Sequence, residues 1–119
     1  MIQNFKDIVV YQKAYECSLK VHKISLGFPD FERYELGGQI RRAAKSVAFN
    51  IAEGFAKKSG SLGEFKRFLY ISLGSCEEVR VALGYSKDLE YITETEYSAV
   101  EGEYHEIAKL LTSMIKTWT

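Results

Sequence analysis

Apolar residues recur every three or four positions through four long stretches of this chain, the spacing of one face of an α-helix. The only proline, Pro29, lies between the first two stretches, so long helices are permitted everywhere else. The short segments between stretches predict turns between neighbouring helices. The sequence therefore predicts an all-α, up-down antiparallel four-helix bundle over about residues 7–26, 31–54, 62–90 and 95–117, in one domain spanning 1–119.

The ends of the stretches show residues that stop and start helices. Residues 27–30 (GFPD) end the first helix, because glycine suits a C-terminal cap and the residue before proline avoids helical geometry. Ser61 with Glu64, and Thr93 with Glu96, have the spacing of capping boxes, in which two residues satisfy each other's open backbone donors. The stripe predicted for the fourth helix is Tyr97, Val100, Tyr104, Ile107, Leu111, Met114 and Trp118.

The net charge, the hydrophobicity and the cysteine spacing exclude several classes of protein. Sixteen basic and sixteen acidic side chains cancel, so any electrostatic binding site must be local. No run of residues has the length and hydrophobicity of a membrane span, and the N-terminus has no signal-peptide core, so we expect a cytoplasmic protein without a membrane partner. Cys17 and Cys76 fit neither a zinc spacing nor a disulfide framework, and we interpret them as buried free thiols.

The first and third helices have a second apolar stripe on the side away from the first. A helix of a single bundle needs only one such face, so the second stripes predict contact with another copy of the chain. The alternative is that long helices simply expose a few apolar residues. The predicted oligomer interface comprises Ile8, Tyr11, Tyr15, Leu19, Phe49, Tyr70, Val81 and Tyr85. The outer side of the fourth helix is polar and is expected to face solvent.

A local excess of positive charge occurs between positions 41 and 67. Its members, the candidate nucleic-acid-binding residues, are Arg41, Arg42, Lys45, Lys57, Lys58, Lys66 and Arg67. On the outside of the second helix, beside Phe49, such residues suit phosphate contact with base stacking. Lys57 and Lys58 precede Ser59 near the start of the third helix, where free backbone donors favour an anion. The alternative is that these cations are solvated or pair with a neighbouring subunit's acidic segment, residues 88–106.

Nothing in the sequence indicates catalysis, a cofactor, a metal site or a small-molecule substrate. Glu53 has no histidine or cysteine at a useful helical spacing. Neither His22 nor His105 follows a glutamate by three residues, as a ferritin-like di-metal site requires. Nucleotide-binding and hydrolase motifs are also missing. The stripe of Gln39, Arg42, Ser46, Asn50 and Glu53 beside the core is expected to form hydrogen bonds between helices.

Several short motifs occur in a distinctive order. They are residues 5–14 (FKDIVVYQKA), 28–29 (FP), 34–36 (YEL), 39–44 (QIRRAA), 50–54 (NIAEG), 64–69 (EFKRFL) and 74–75 (GS). Through them, nearly the whole chain resembles the four-helix-bundle family encoded within intervening sequences of bacterial 23S ribosomal RNA genes. Tyr11 stands where tryptophan is more usual. The resemblance implies a bacterial bundle, often assembled as a ring of five, with no established activity.

A related group, the accessory proteins of diversity-generating retroelements, is similar in fold and binds nucleic acid through a basic surface. The leading hypothesis is therefore a non-catalytic, self-assembling bundle, a homo-oligomer and by resemblance a pentamer. It is expected to bind nucleic acid, either RNA or DNA, or a nucleoprotein through the basic patch on helix two and the following loop. The alternative is an oligomeric protein-interaction scaffold with no nucleic-acid role.

Overall fold

A computed structural model describes residues 2–58 and 60–117 of the chain. Four helices account for most of it: α1 (Val9–Ser25), α2 (Leu36–Lys57), α3 (Leu62–Asp88) and α4 (Glu94–Thr117). Short 3-10 turns precede α1 and α2, at Phe5–Asp7 and Asp30–Glu32. The described part contains no strand, so the predicted all-α four-helix bundle is confirmed. Trp118, predicted at the end of the α4 stripe, lies outside the described residues.

Helices that follow one another in the chain pack side by side, and α1 closes the bundle against α4. Consequently α1 and α3 lie at diagonal corners, as do α2 and α4. The largest fully buried side chains are Tyr104, Phe65, Ile40, Ile51 and Leu69. On α1 the buried apolar residues include Val10 and Val21, so all four helices contribute an inner stripe. Each buried apolar side chain of the size of Val, Leu, Ile or Phe contributes about 1.5 to 3 kcal/mol, and these stripes hold the bundle together. None of the described helices is long and apolar enough to cross a membrane.

The predicted bounds of the second helix, 31–54, are wrong at both ends. The chain after Pro29 first makes the 3-10 turn Asp30–Glu32, and Glu35 takes a non-helical backbone conformation (φ −91°, ψ −101°) before α2 begins. The turn folds back onto the new helix: a Cβ added at Gly37 would lie 2.9 Å from the carbonyl oxygen of Glu32. At the other end α2 continues to Lys57, because Phe55 still packs against the core.

The other helix ends lie close to the predicted positions. Thr93 and Glu96 form the predicted capping box, with the Glu96 amide 3.0 Å from Thr93 Oγ1 and the Thr93 amide 2.8 Å from Glu96 Oε1. Ser61 Oγ likewise accepts from the Glu64 amide at 3.2 Å, but the Glu64 carboxylate pairs with Arg67 instead of completing the box. The first helix, predicted to begin at residue 7, begins at Val9 because the preceding residues form the 3-10 turn.

The α2 and α3 helices approach each other closely along a line of small residues. Ser46 and Ser75 share a hydrogen bond with their Oγ atoms 2.7 Å apart, and Ser72 Oγ donates to the carbonyl of Val47 at 2.7 Å. A Cβ added at Gly54 would lie 2.8 Å from Phe68 Cβ. Residue numbers rise along α2 while those of their partners fall along α3, so the two helices are antiparallel.

Candidate assembly and nucleic-acid surfaces

The two cysteines are buried and unpaired, as predicted. Cys17 Sγ donates to Glu103 Oε2 at 3.3 Å, and Cys76 Sγ donates to the backbone carbonyl of Tyr104 at 3.1 Å. Burial raises the pKa of each thiol to about 12, and the Glu103 carboxylate adds to the effect at Cys17. Since the thiolate is the nucleophilic form, both thiols stay protonated and are poor nucleophiles at neutral pH.

Six of the eight predicted interface residues are well exposed apolar side chains. Their exposed fractions run from 49% to 69%, and the residues are Tyr15, Leu19, Phe49, Tyr70, Val81 and Tyr85. Those on α1 and α2 flank an apolar groove of about 370 Å³ between these helices. The remaining three lie on the outer side of α3. The outer faces of α1, α2 and α3 therefore present large apolar side chains to solvent.

Two of the predicted interface residues are placed differently. Ile8 is buried in the core, because it precedes α1 with an extended backbone (φ −80°, ψ 119°) instead of following the helical pattern. Its assignment to an interface is wrong. Tyr11 is half-buried, with its ring centroid 4.9 Å from that of Phe5 and 6.0 Å from that of Tyr15. Its side chain lines the α1–α2 groove and does not project outward from the helix.

The sequence pattern missed three exposed side chains at the end of the bundle where α2 begins. Phe31 and Tyr34 are 74% and 79% exposed, and Leu89 is half exposed. The two aromatic residues were expected on a helical face, whereas they lie in and just after the 3-10 turn. Tyr34 and Leu89 line a groove of about 530 Å³ together with Arg42 and Tyr85. Gly37 and Gly38, which weaken a helix start, were the signal that this segment is not regular helix.

Arg41 does not belong to an outer basic surface. Its Nη1 donates to Ser25 Oγ at 2.9 Å and its Nη2 donates to the carbonyl of Arg33 at 2.7 Å. The guanidinium thereby connects α2 to the last residue of α1 and to the turn before α2. The prediction that Arg41 lies on the outer face of helix two is wrong, since whether a long side chain turns outward depends on which groups its neighbours offer.

The other basic residues form two separate groups. Arg42 and Lys45 are exposed near the first half of α2, whereas Lys57, Lys58, Lys66 and Arg67 lie around the junction of α2 with α3. Lys45 and Lys57, the members of the two groups that are nearest along α2, are twelve positions apart, which is about 18 Å. The single patch predicted from the sequence is therefore divided in two.

Several cations of the second group, which we call the junction cluster (Lys57, Lys58, Lys66 and Arg67), stand over aromatic rings. Lys57 Nζ and Arg67 Cζ lie 5.2 and 4.6 Å from the centroid of Phe68, and Lys58 Nζ lies 4.9 Å from that of Phe55. Lys57 also pairs with Glu53 at 3.9 Å and Arg67 with Glu64 at 2.5 Å. Ser59, predicted beside an anion site here, lies outside the described residues.

Comparison with known proteins settles the family. A family model described as "23S rRNA-intervening sequence protein" matches residues 6–113. The chain belongs to this family. A crystal structure of a protein with unknown function from the S23 ribosomal protein family of Bacteroides thetaiotaomicron is similar over 92% of this chain and 100% of that one. The TM-score is 0.80 and the sequence identity 29%. No curated protein matches the sequence.

In this member of the family, part of the acidic segment stabilises the bundle. Glu101 Oε2 lies 2.6 Å from Arg80 Nε, joining α4 to α3, and Glu103 Oε2 lies 2.9 Å from Lys20 Nζ, joining α4 to α1. These carboxylates are engaged within the chain, which leaves fewer of them to pair with a neighbouring subunit. Across residues 2–58 and 60–117, no three histidine, cysteine, aspartate or glutamate side chains converge on a position that could hold a metal ion.

Within the described part of the chain, the polar stripe of α2 makes the expected hydrogen bonds only at its centre. Asn50 Nδ2 donates to the carbonyl and hydroxyl oxygens of Ser46, which in turn bonds Ser75 on α3. Glu53 faces solvent and pairs with Lys57. The stripe is thus partly a helix–helix contact and partly an outer surface.

Proposed function

We propose that this protein is a non-catalytic, self-assembling subunit whose outer α1, α2 and α3 faces bind further copies of the chain. The observation that supports this most is the uneven distribution of exposed apolar residues. Tyr15, Phe49 and Tyr85, on three different helices, are each about half or more exposed. On α4, by contrast, the outer positions are occupied by polar residues such as His105 and Lys109.

Large apolar side chains that lie along one surface can be buried together by a single partner, and their transfer out of water is favourable. Burying one Tyr, Phe, Leu or Val fully contributes about 1.5 to 3 kcal/mol, and several buried together outweigh the entropy lost on association. The two free cysteines agree with the reducing cytoplasm as the place of assembly. We propose a non-catalytic role because Glu53, the carboxylate considered for catalysis, lies on the surface and pairs with Lys57.

Sedimentation velocity at micromolar concentration tests the proposal directly. We expect an oligomer, and a pentamer from the family resemblance. A monomer would contradict self-assembly. The experiment should be repeated in high salt, because an apolar interface is retained there while an association made by surface charges is lost.

Nucleic-acid binding through the junction cluster is a second candidate function. It is supported by the concentration of four cations around the α2–α3 junction, of which Lys58 and Lys66 have no carboxylate partner in the described part of the chain. The pairs Lys57–Glu53 and Arg67–Glu64 are exposed, so each is worth about 0 to 1 kcal/mol and can be exchanged for a phosphate. An oligomer would repeat the cluster and strengthen binding to a long strand.

Fluorescence anisotropy with labelled single-stranded RNA and DNA tests this second function. We expect binding at low salt that weakens steeply as salt rises. The slope of log affinity against log salt should decrease by about 0.7 for each phosphate contact removed from these single strands. Lys58→Glu with Lys66→Glu should abolish binding while the oligomer remains. Lys109→Glu with Lys116→Glu on α4 is the charge-matched control. An oligomer that binds neither nucleic acid would support the scaffold alternative.

A further inference from the structure

The α1–α2 groove is a concave apolar surface with a single charged residue on its rim. Its main lining residues are Phe5, Tyr11, Tyr15, Leu19, Phe49 and Ala52. Lys45 stands at the edge, and within the described residues it has no ion-pair or hydrogen-bond partner. Phe49, 69% exposed, follows Lys45 by one helical turn and projects beside it.

The outer side of α3 is a convex surface that we call the α3 ridge. Tyr70, Val81 and Tyr85 project from it, each at least 60% exposed. At 100° per residue Gly74 and Glu78 fall on the same side. A Cβ added at Gly74 would meet nothing within 4 Å, so this glycine makes a notch in the ridge that opens to solvent. Glu78 is exposed and, unlike Glu77, has no cationic partner among the described residues.

The groove and the ridge match in charge and in spacing. Lys45 and Phe49 are four residues apart on α2, and Glu78 and Gly74 are four residues apart on α3, which is about 6 Å in each case. If Lys45 faces Glu78 of another copy, the exposed Phe49 ring comes level with the Gly74 notch. The match requires α2 to run antiparallel to the α3 of the other copy.

We infer that the α1–α2 groove of one copy binds the α3 ridge of the next, with Lys45 against Glu78 and Phe49 in the Gly74 notch. This assignment rests on the proposed self-assembly and specifies its contact. Lys45 is then an assembly residue and not a nucleic-acid contact. Groove and ridge are different surfaces, so the contact is heterologous and every copy uses both.

The direction of the helices is consistent with a closed ring. Within one chain α2 and α3 are antiparallel, as the pairs Ser46–Ser75 and Val47–Ser72 show. An α3 from the next copy that is antiparallel to α2 is therefore parallel to the α3 of the first copy. All subunits then point the same way along their bundle axes, which is what rotation about a common parallel axis requires.

Gly74→Leu is the sharpest test, because it fills the notch without disturbing the subunit. Among the described residues, apart from the adjoining helical backbone, nothing lies within 4 Å of the new Cβ. Replacing a helical glycine also strengthens α3. We expect wild-type helicity by circular dichroism and at least a tenfold weaker association by sedimentation. Gly102→Leu, at an equally open position on α4, is the matched control and should assemble normally.

A charge exchange tests the pairing of Lys45 with Glu78 independently. Lys45→Glu should weaken association, and adding Glu78→Lys should restore it. If Gly74→Leu assembles as the wild type does, or if the double charge variant is not restored, this contact is wrong although the chain still self-assembles by another. A monomeric wild type would instead overturn both this contact and the proposed function.

Discussion

The phenol of Tyr104 on α4 lies in the core near the thiols of Cys17 and Cys76, and Cys76 Sγ bonds the tyrosine's own carbonyl oxygen at 3.1 Å. The hydroxyl itself is completely buried and has no hydrogen-bond partner among the described residues. Burial raises the pKa of this phenol above its usual range, so it stays neutral. The bundle thus contains a polar group that has given up its hydration and has no bond in exchange.

Tyr104→Phe should stabilise the protein. Removing an unpartnered buried hydroxyl removes its desolvation penalty, so we expect the free energy of unfolding to rise by about 1 to 3 kcal/mol. Tyr91→Phe is the control. Tyr91 Oη donates to Glu32 Oε2 at 2.8 Å, so its loss should lower the free energy of unfolding instead of raising it. Urea denaturation at one fixed protein concentration measures both, and a destabilised Tyr104→Phe would contradict the argument.

Gly54→Ala should destabilise the contact between α2 and α3. The added methyl would lie 2.8 Å from Phe68 Cβ and 3.3 Å from the backbone oxygen of Phe65, so the helices must move apart. We expect a loss of about 1 to 3 kcal/mol in thermal or urea unfolding. Gly102→Ala, where the new methyl meets nothing within 4 Å, should instead gain up to about 1 kcal/mol. Equal effects of the two changes would show that packing at Gly54 is not tight.

Arg41→Ala should cost more stability than Arg42→Ala. The first change removes the bonds to Ser25 and to the Arg33 carbonyl, so we expect a loss of about 1 to 3 kcal/mol. Arg42 is exposed and makes no such bond among the described residues, so its loss should stay within about 0.5 kcal/mol. Urea denaturation of the two variants measures these losses. Equal losses would mean that Arg41 is part of a charged surface and does not hold the helices together.

Stability should fall in alkaline solution because of the buried thiols. The pKa of Cys17 and Cys76 is about 12 in the folded chain, against an ordinary value of 9.0. Above pH 9 the unfolded chain therefore loses thiol protons that the folded chain keeps. Each thiol lowers the free energy of unfolding by up to about 1.4 kcal/mol per pH unit between pH 9 and 12. Below pH 9 the thiols contribute no such slope.

The measurement is urea denaturation at pH 8 and at pH 10. The wild type should lose more stability between these values than a variant with Cys17→Ala and Cys76→Ala, which has no thiol to ionise. The variant is less stable overall, so only the difference between the two pH values is compared. An identical difference in both proteins would mean that the thiols ionise as easily in the folded state.

Tyr15→Glu and Tyr85→Glu should each weaken self-assembly more than Lys109→Glu. The two tyrosines are 49% and 61% exposed and belong to the proposed contact surfaces, where an unpaired buried charge costs several kcal/mol. Lys109 lies on the outer side of α4, where a charge change costs little. Light scattering at matched concentration compares the three, and assembly unaffected by the tyrosine changes would refute the interface.

Local signals predicted the second half of the fold more accurately than the first. The cap at Ser61 and the capping box at Thr93 and Glu96 act within one turn, so the sequence placed the starts of α3 and α4 within one residue. The start of α2 depends instead on the 3-10 turn after Pro29 and on its contact with Gly37, which form only when the chain folds back. The α3 helix ends at Asp88, two residues before the predicted end, and Glu90 just after it has a positive φ of 66°. No residue pattern in the sequence predicted this end either.

The candidate surfaces were predictable where a residue's surroundings follow from helical spacing alone. Tyr15, Phe49 and Tyr85 are exposed because their positions on regular helices turn them outward. Ile8 and Arg41 were misplaced because their positions depend on the extended residue before α1 and on acceptors supplied by Ser25 and Arg33. The basic residues form two groups because they are far apart along α2. A count of charges between positions 41 and 67 does not include that distance.

The order in which the helices pack has a consequence for folding kinetics. Three of the four helix–helix contacts join neighbours in the sequence, and only the contact of α1 with α4 joins distant parts of the chain. Local contacts of this kind give fast folding, about microseconds to milliseconds for helical bundles, since little loop entropy is lost before they form. The ion pair between Lys20 and Glu103 spans the distant contact, so we expect it to form after the α2–α3 pair and to affect the unfolding rate more than the folding rate.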